Sequence, residues 1–327
     1  MRQHTVSMQY LGASEPAHFY STEINGELAL FDAGTPTIEA LDYLQREIDL
    51  PRLKYLFITH YHMDHCGLAP YIAANTDARI FIPRLDVVRA LSQDNHLALF
   101  KTLLIEYGFD EEFCRQLMEG LVKNKMFLPL PERYEIAEES EIPARLGVTC
   151  LSCPSHSQSD LIYMLGKYAV TGDVLLRNIF QVPLLEVDLA SRSGRFRNYD
   201  AHCASLIKLQ ALRGCEILPG HRSHVKSLEG TILFYVKKMM QRAVQIKRCA
   251  GIETVRGVID KLSRSAVLDP MLVYLKASEV VFMRDFLAEP HRLKESLVRI
   301  GLFDAVCGLY TSVLENPLSG RSAHGQA

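Results

Sequence analysis

No stretch of the chain is long and apolar enough to span a bilayer, so no membrane insertion is expected. The opening segment Met1–Ser7 lacks an apolar run before a small-residue cleavage site, which gives no signal peptide to expect. Charge of one sign is also lacking. The 36 Lys and Arg nearly balance the 38 Asp and Glu, for a net charge of −2. That removes any general pull toward nucleic acid or anionic lipid, and no nucleic-acid partner is expected, although a local basic patch stays open. The eight cysteines (66, 114, 150, 153, 203, 215, 249, 307) are scattered rather than framed, in a chain too long to need covalent staples. They read as reduced thiols of a cytoplasmic protein. Cys150 and Cys153 form a lone CxxC inside an apolar strand-like run, and structural thiols explain it better than a zinc knuckle or a redox pair. There is no internal repeat, and no Ser-His-Asp pattern that would supply a protein nucleophile.

What remains is an ordinary globular composition, 48% hydrophobic and 23% charged over 327 residues, enough for one large domain or a domain with an appendage. The first third alternates strands and helices. Thr5–Tyr10, His18–Glu23, Leu28–Phe31, Lys54–Thr59 and Arg79–Ile82 read as strands. A helix opens at Thr35-Pro36, with Pro at its first position, and runs to Glu47, and another covers Gly67–Ala74. Residues 84–125 change character: Leu85, Val88 and Leu91, then Leu97 to Ile105, then Phe113, Leu117 and Leu121 predict two or three amphipathic helices. Strands return at Tyr134–Ile136 and Val148–Cys153. Leu161–Leu165 and Tyr168–Thr171 form a hairpin around Gly166-Lys167. Helix Ala201–Leu212 and a short strand Glu216–Leu218 follow. Beyond Ser227 the pattern is helical, over Ile232–Cys249, Val255–Leu262, Leu272–Leu287 and Leu293–Leu314, and Pro317–Ala327 reads as a flexible tail. The fold class expected is α/β. Residues 1–226 would form the catalytic domain with a helical insertion at 84–125, and 227–316 a C-terminal helical region.

His60, His62, Asp64 and His65 fall within six residues just past a buried strand. Imidazole and carboxylate are the groups that hold zinc, iron or manganese. A lone histidine is usually a core or surface residue, but this density is hard to explain as packing. Further ligand-type residues follow other strands. His156 comes after Val148–Cys153, Asp173 after Tyr168–Thr171, and His221 after Glu216–Leu218. Loops at one rim of a sheet can bring such residues together.

The run His60-Tyr61-His62-Met63-Asp64-His65 resembles the HxHxDH signature of the metallo-β-lactamase superfamily. His156, Asp173 and His221 follow in that family's order, and Asp32 in Phe31-Asp32-Ala33-Gly34 is similar to its early supporting aspartate. The resemblance covers about residues 5–225. It implies an αββα sandwich with a two-metal site at one edge. His60, His62 and His156 would bind one metal, Asp64, His65 and His221 the other, and Asp173 would bridge them. It also implies hydrolysis by a hydroxide activated between two divalent metals, with Asp64 as ligand and orienting group. Zinc is the expected metal, with iron or manganese as alternatives. The substrate expected is a small ester, thioester or lactone. A phosphodiesterase or nuclease on the same metals, or a regulatory protein retaining the metal fold, is the alternative.

His62 stands where the oxygen-reducing flavodiiron relatives carry glutamate, and Asp173 where the principal zinc β-lactamases carry cysteine. Both disfavour those branches. Around His156, Ser155 stands where relatives often carry a glycine, and Ser159-Asp160 where they often carry Gly-His or Gly-Ser. The stretch His62–Tyr71 is similar to the corresponding part of the bacterial quinolone-signal thioesterase, which carries C-terminal helices. Other residues read more plainly. Arg192, Arg195, Arg197 and Arg222 would gather an anionic substrate, but a solvated mobile loop explains the first three slightly better. Tyr199 packs. His202 and His224 are not ligands, and Cys66, beside the cluster, is not one either. The Lys237–Arg248 basic face is solvated. Phe282, Phe286, Leu293, Leu297 and Leu302 form tail core or the seam of a homodimer.

Overall fold

The computed structural model describes residues 1–10, 13–123, 128–263 and 269–315; the tail expected at 317–327 lies outside them. In chain order the elements are β1 (Arg2–Tyr10), β2 (Ala13–Ile24), β3 (Glu27–Phe31), α1 (Ile38–Glu47), β4 (Leu53–Phe57), α2 (Met63–Cys66), α3 (Ala69–Asn75), β5 (Arg79–Ile82), α4 (Arg84–Leu91), α5 (Gln93–Glu106), α6 (Glu111–Lys123), β6 (Glu135–Ile136), α7 (Ile142–Arg145), β7 (Val148–Ser152), β8 (Leu161–Leu165), β9 (Tyr168–Gly172), α8 (Asn198–Lys208), β10 (Glu216–Pro219), α9 (Leu228–Lys247), α10 (Val255–Ser263), α11 (Pro270–Ala288), α12 (Pro290–Arg299) and α13 (Cys307–Glu315).

Strands β1 to β6 form one sheet in sequence order, and β10-β9-β8-β7 form a second. Side chains on a strand alternate between faces, and this period sorts the core into layers. Ala29 and Phe31 of β3, Leu161 and Tyr163 of β8, and Leu218 of β10 fill the space between the sheets. Their neighbours point outward. Leu30 joins α1 and α3 on one side, while Ile162 and Ile217 join the α8–α13 helices on the other. The result is an αββα sandwich with added helices. Between the sheets Phe57 stacks on Phe31 at 5.1 Å and on Phe81 at 4.9 Å, and Tyr163 tilts onto both Phe31 and Phe57. Such ring pairs add to the stabilisation from area burial. The Tyr163 hydroxyl donates to the Ile58 carbonyl, tying the second sheet to the chain just past β4.

Several elements differ from the sequence reading. Helix α1 begins at Ile38, not at Pro36, because the Thr37 hydroxyl accepts the Ala40 N–H and caps the first turn. The last helical stretch breaks into α12 and α13, with Gly301 in the left-handed region (φ 75°) where α12 ends. Among its described residues the segment 84–125 holds three helices. In the first of them the buried face is not the expected Leu85, Val88 and Leu91. Helix α4 buries Asp86, Val87 and Arg89, and Leu91 is 73% exposed.

Phe282, Phe286, Leu293 and Leu297 are buried within the chain itself and form core rather than a free seam. They belong to one apolar cluster that also takes in Phe100, Leu104 and Leu117 of α5 and α6 and the outer face of the second sheet. Tyr199 packs edge-on to Phe282 and Phe286, donates to the Glu289 carbonyl and accepts from the Leu293 N–H. None of the described helices is long and apolar enough to cross a membrane. Phe286 is fully buried, so Phe286→Ala should lower stability by about 3–5 kcal/mol. Urea unfolding of the two proteins checks this, and a loss under about 1 kcal/mol would mean that the helices do not share this core.

Candidate metal centre

Every expected ligand, like the supporting Asp32, follows the C-terminal end of a strand. Asp32 follows β3, His60 to His65 follow β4, His156 follows β7, Asp173 follows β9 and His221 follows β10. After β4 the chain runs extended to His62, then makes the single turn of α2, in which the His65 and Cys66 N–H groups both donate to the His62 carbonyl. That reversal brings residues from both sides of the turn together. The His60 ring centroid lies 4.4 Å from that of His62 and 4.2 Å from that of His65.

Three groups of ligand atoms form, each with its atoms within 4.8 Å of one another: His60, His62 and His156; His60, His65 and Asp173; Asp64, His65 and His221. All seven expected residues are present. His62 Nδ1 and His156 Nε2 converge to 3.1 Å. His221 Nε2 is 3.2 Å from Asp64 Oδ2. Asp173 sits between the groups. Its Oδ1 is 3.5 Å from Nε2 of both His65 and His221, and its Oδ2 is 4.0 Å from His156 Nε2.

The surrounding hydrogen bonds aim these atoms inward. The Asp32 carboxylate accepts from the Thr59 N–H, the Thr59 hydroxyl and His65 Nδ1, the last at 2.8 Å. His156 Nδ1 donates to the Val182 carbonyl and His221 Nδ1 to the Pro16 carbonyl, each fixing the ring with Nε2 facing the site. Buried polar atoms are ordinarily satisfied. Here His60 Nε2, His65 Nε2 and Asp173 Oδ1 are buried without a hydrogen-bond partner. A pair of divalent cations fits that set, because it supplies the partner that each of these nitrogens and oxygens lacks.

Electrostatics agree with the arrangement. Burial, then neighbouring histidines, hold His60 and His62 well below the usual imidazole range, so both carry open lone pairs at neutral pH. Burial opposes protonation of His65 too, but Asp64, Asp173 and Asp32 outweigh it and push its pKa up. Likewise His221 rises to about 9 against burial, through Asp173 and Asp64. Asp64 and Asp173 are held low despite burial by the facing histidines, His65 first for Asp64 and His221 first for Asp173. The carboxylates thus call for positive charge at the same points where the ligand atoms converge.

Two glycines make room. At Gly172 the backbone is left-handed (φ 48°), and a Cβ would lie 2.6 Å from the Thr59 hydroxyl. At Gly220 a Cβ would meet His65 Cε1 at 2.4 Å and Asp173 Oδ1 at 3.0 Å.

Residues to which the sequence reading gave no role complete the frame. Asp160 follows Ser159 where relatives often carry Gly-His or Gly-Ser, and its carboxylate accepts the N–H groups of Ser155, His156 and Ser157 and the Ser157 hydroxyl. That cradle shapes the His156 loop in place of the glycines. Gln181 donates to Asp173 Oδ2, and no spacing in the sequence signalled it. Two arginines of the Arg192–Arg197 loop are tied down: Arg195 pairs with Asp285 of α11, and Arg197 with Asp200, Asp285 and Glu289. Its second half is a strut to the C-terminal helices, while Arg192 is exposed, as a solvated loop would leave it. Arg222 instead lines, with Arg177, Asn178, Ile179 and Ser223, an open cavity of about 430 Å³. Cys66 is buried, its thiol pushed well up by burial and by nearby carboxylates, and it belongs to none of the three ligand groups. His224 bonds Gln3 at the surface. His202 bonds the Ser155 hydroxyl and belongs to no ligand group.

Gly220→Ala should displace His65 and Asp173 and cost metal uptake while leaving the far-ultraviolet spectrum unchanged. Metal content after dialysis against zinc checks it, and unaltered uptake would refute the close packing. His202 is lowered to about 4 from 6.5 by burial alone. The unfolded chain therefore takes up the proton first, and stability falls as pH drops from 6.5 toward 4, by up to about 1.4 kcal/mol per pH unit from this group. Urea midpoints measured across that window should fall less steeply for His202→Gln than for the parent.

Comparison with known proteins agrees with the geometry. No curated protein matches the chain. Among solved structures, a metallo-beta-lactamase family protein from Thermus thermophilus superposes with a TM-score of 0.64 at 18% identity, over 88% of this chain and 94% of that one. A beta-lactamase domain protein from Burkholderia ambifaria gives 0.63 at 17% identity, over 88% and 87%. Identities this low establish the shared fold. The family model described as the metallo-beta-lactamase superfamily matches residues 19–221, which run from β2 to the last expected ligand. With more than half of its length matched to that model, the chain belongs to the metallo-beta-lactamase superfamily.

Proposed function

We propose that the protein is a hydrolase of small esters, thioesters or lactones that works with two divalent cations. The observation that carries this reading is the convergence of seven histidine and aspartate side chains in which buried ligand atoms lack any partner. His60, His62 and His156 would hold one cation, Asp64, His65 and His221 the other, with Asp173 shared. The donor set of nitrogens and carboxylates accepts zinc, iron or manganese, and we take zinc as the expected occupant. When bound, such a pair lowers the pKa of a water between the ions and polarises a carbonyl oxygen.

The chain's own contribution is positional. Asp64 has 24% of its side chain exposed, more than His65, Asp173, His156 or His221. As the most exposed of these groups, it would orient the attacking water. Asp32 holds His65 in one tautomer, and Thr59 makes the matching contact to His60 Nδ1 at 3.2 Å. The unit that carries this chemistry would be residues 1–226, with 227–316 as its helical cover. A place in the thioesterase-like branch is supported by the stretch His62–Tyr71 and by those C-terminal helices. The net charge of −2 favours a small molecule over a nucleic acid. We place the protein in the cytoplasm.

The test is a panel of thioesters, lactones and phosphodiesters offered to the zinc-loaded protein, after elemental analysis has confirmed close to two metals per chain. Turnover of a thioester or lactone is expected. Turnover of phosphodiesters alone would favour the rival reading, and absence of metal after reconstitution would end both. His62→Ala should reduce turnover by on the order of 100-fold or more while leaving the thermal transition cooperative.

A further inference from the structure

Helix α4 is docked in an unusual way. Two of its three buried residues, Asp86 and Arg89, are charged, and its large apolar residue Leu91 faces solvent. Buried ion clusters are poor sources of stability, because desolvation offsets the attraction between the charges. Apolar side chains at these positions would hold the helix equally well. The cluster therefore calls for a reason beyond stability, and its hydrogen bonds supply one.

Asp86 Oδ2 accepts the Tyr61 N–H at 2.8 Å, and Arg89 donates to the Tyr61 carbonyl at 3.3 Å. Tyr61 lies between His60 and His62. One of those bonds grips the peptide linking His60 to Tyr61, and the other grips the peptide linking Tyr61 to His62. Asp86 Oδ1 accepts from Arg89 in turn, at 3.0 Å. On its other side Arg89 donates to Glu186 Oε1 at 3.2 Å, and Glu186 Oε2 accepts from Gln158 at 3.1 Å. Gln158 is two residues past His156. It also donates to the Val187 carbonyl and accepts the Leu189 N–H, so it is held at both ends of its amide. An unbroken chain of charge-assisted bonds thus runs from the His60–His62 peptides through Arg89 to the loop of His156.

We propose that Arg89 is a positioning residue for the three-histidine end of the metal centre, setting the separation of His60 and His62 from His156. The inference rests on the metal reading given above. Among the described residues the Arg89 cluster bonds neither Asp173, nor Gln181 that holds it, nor His221, and Glu186 joins the cluster thirteen residues beyond Asp173, so its effect falls chiefly on one of the two cation positions. An apolar residue in its place would leave the Tyr61 carbonyl and two carboxylates without their shared partner, and the two ligand loops free to drift apart. Lysine keeps the charge and loses the forked geometry that spans the Tyr61 carbonyl and Glu186 together.

The experiment titrates metal-stripped protein with Co²⁺, following the visible ligand-field bands and competition with a chromophoric chelator, for the parent, Arg89→Met and Arg89→Lys. The parent is expected to bind two equivalents. In Arg89→Met one equivalent should weaken by about 10–100-fold, with its band shifted, while the other stays near the parental value. Arg89→Lys should recover part of that loss. Two equivalents bound with parental affinity would overturn the proposal, whatever happens to stability. So would equal weakening of both equivalents in step with a lower Tm, which a merely structural role would give. Should Arg89→Met fail to fold, Gln158→Leu cuts the same chain at its far end and must show the same one-sided loss. Failure of the parent itself to bind Co²⁺ would instead remove the metal reading.

Discussion

The Asp32 carboxylate accepts hydrogen bonds from the Thr59 N–H, the Thr59 hydroxyl and His65 Nδ1 while buried at the end of β3. Its own backbone is left-handed (φ 61°), and strain of that kind persists only where the surroundings over-determine it. The three bonds join the end of β3 to the chain leaving β4 and turn His65 so that Nε2 faces Asp173. A carboxylate so placed is costly unless its lone pairs are used. Its geometry therefore depends on the two strands ending level with one another, which their parallel register, Phe31 opposite Phe57, provides. Fold and site are coupled at this one group.

The same logic extends to the second sheet. Asp173 and His221 leave β9 and β10, which run parallel to each other, with Val170 opposite Leu218 and Gly172 opposite Pro219. The aromatic layer between the sheets sets how far apart the two rims stand. The Pro16 carbonyl, just ahead of His18 in β2, then accepts from His221 across that gap, and the His18 N–H donates to the Gly220 carbonyl. Gly172 and Gly220 lack side chains because the rims approach so closely that a Cβ would strike the ligands or the Thr59 hydroxyl that supports them. Those glycines follow from the separation of the sheets and not from loop flexibility.

This explains what could be read from the residues alone. The candidate ligands were legible because ligand-type side chains at strand ends leave a local mark: four of them in six positions at His60–His65, then one each after three further strands. The strands were legible as apolar runs, but the layers only through the family resemblance, because β3, β8 and β10 are apolar on both faces and their pattern does not say which side faces which neighbour. Asp160 was visible only as part of a departure from the family's Gly-His or Gly-Ser pattern, and its meaning needed the three N–H groups folded around it. Gln181 and Glu186 left no mark at all, since their partners lie in loops that only tertiary structure brings near. Helix α4 defied its periodicity for a definite reason. Leu85, Val88 and Leu91 have helical spacing, and periodicity assigns burial to apolar residues. The helix instead turns its charged face inward, because two backbone groups of Tyr61 and the Glu186 carboxylate need partners there.

The C-terminal helices enter the same network from outside. Glu186, which receives Arg89, lies in the loop whose Leu185 N–H donates to the Ser278 hydroxyl of α11 and whose Leu185 carbonyl accepts the Tyr274 hydroxyl. Arg195 at the far end of that loop pairs with Asp285, about two turns further along the same helix. These contacts from α11 fix the passage 185–195, and that passage fixes Glu186 and the Val187 carbonyl against Gln158. A shift of α11 along its axis would be felt at the His156 loop through Glu186 and Gln158. The helices beyond the family-matched region are therefore part of the frame that sets the geometry of the candidate metal centre, through Glu186 and Gln158.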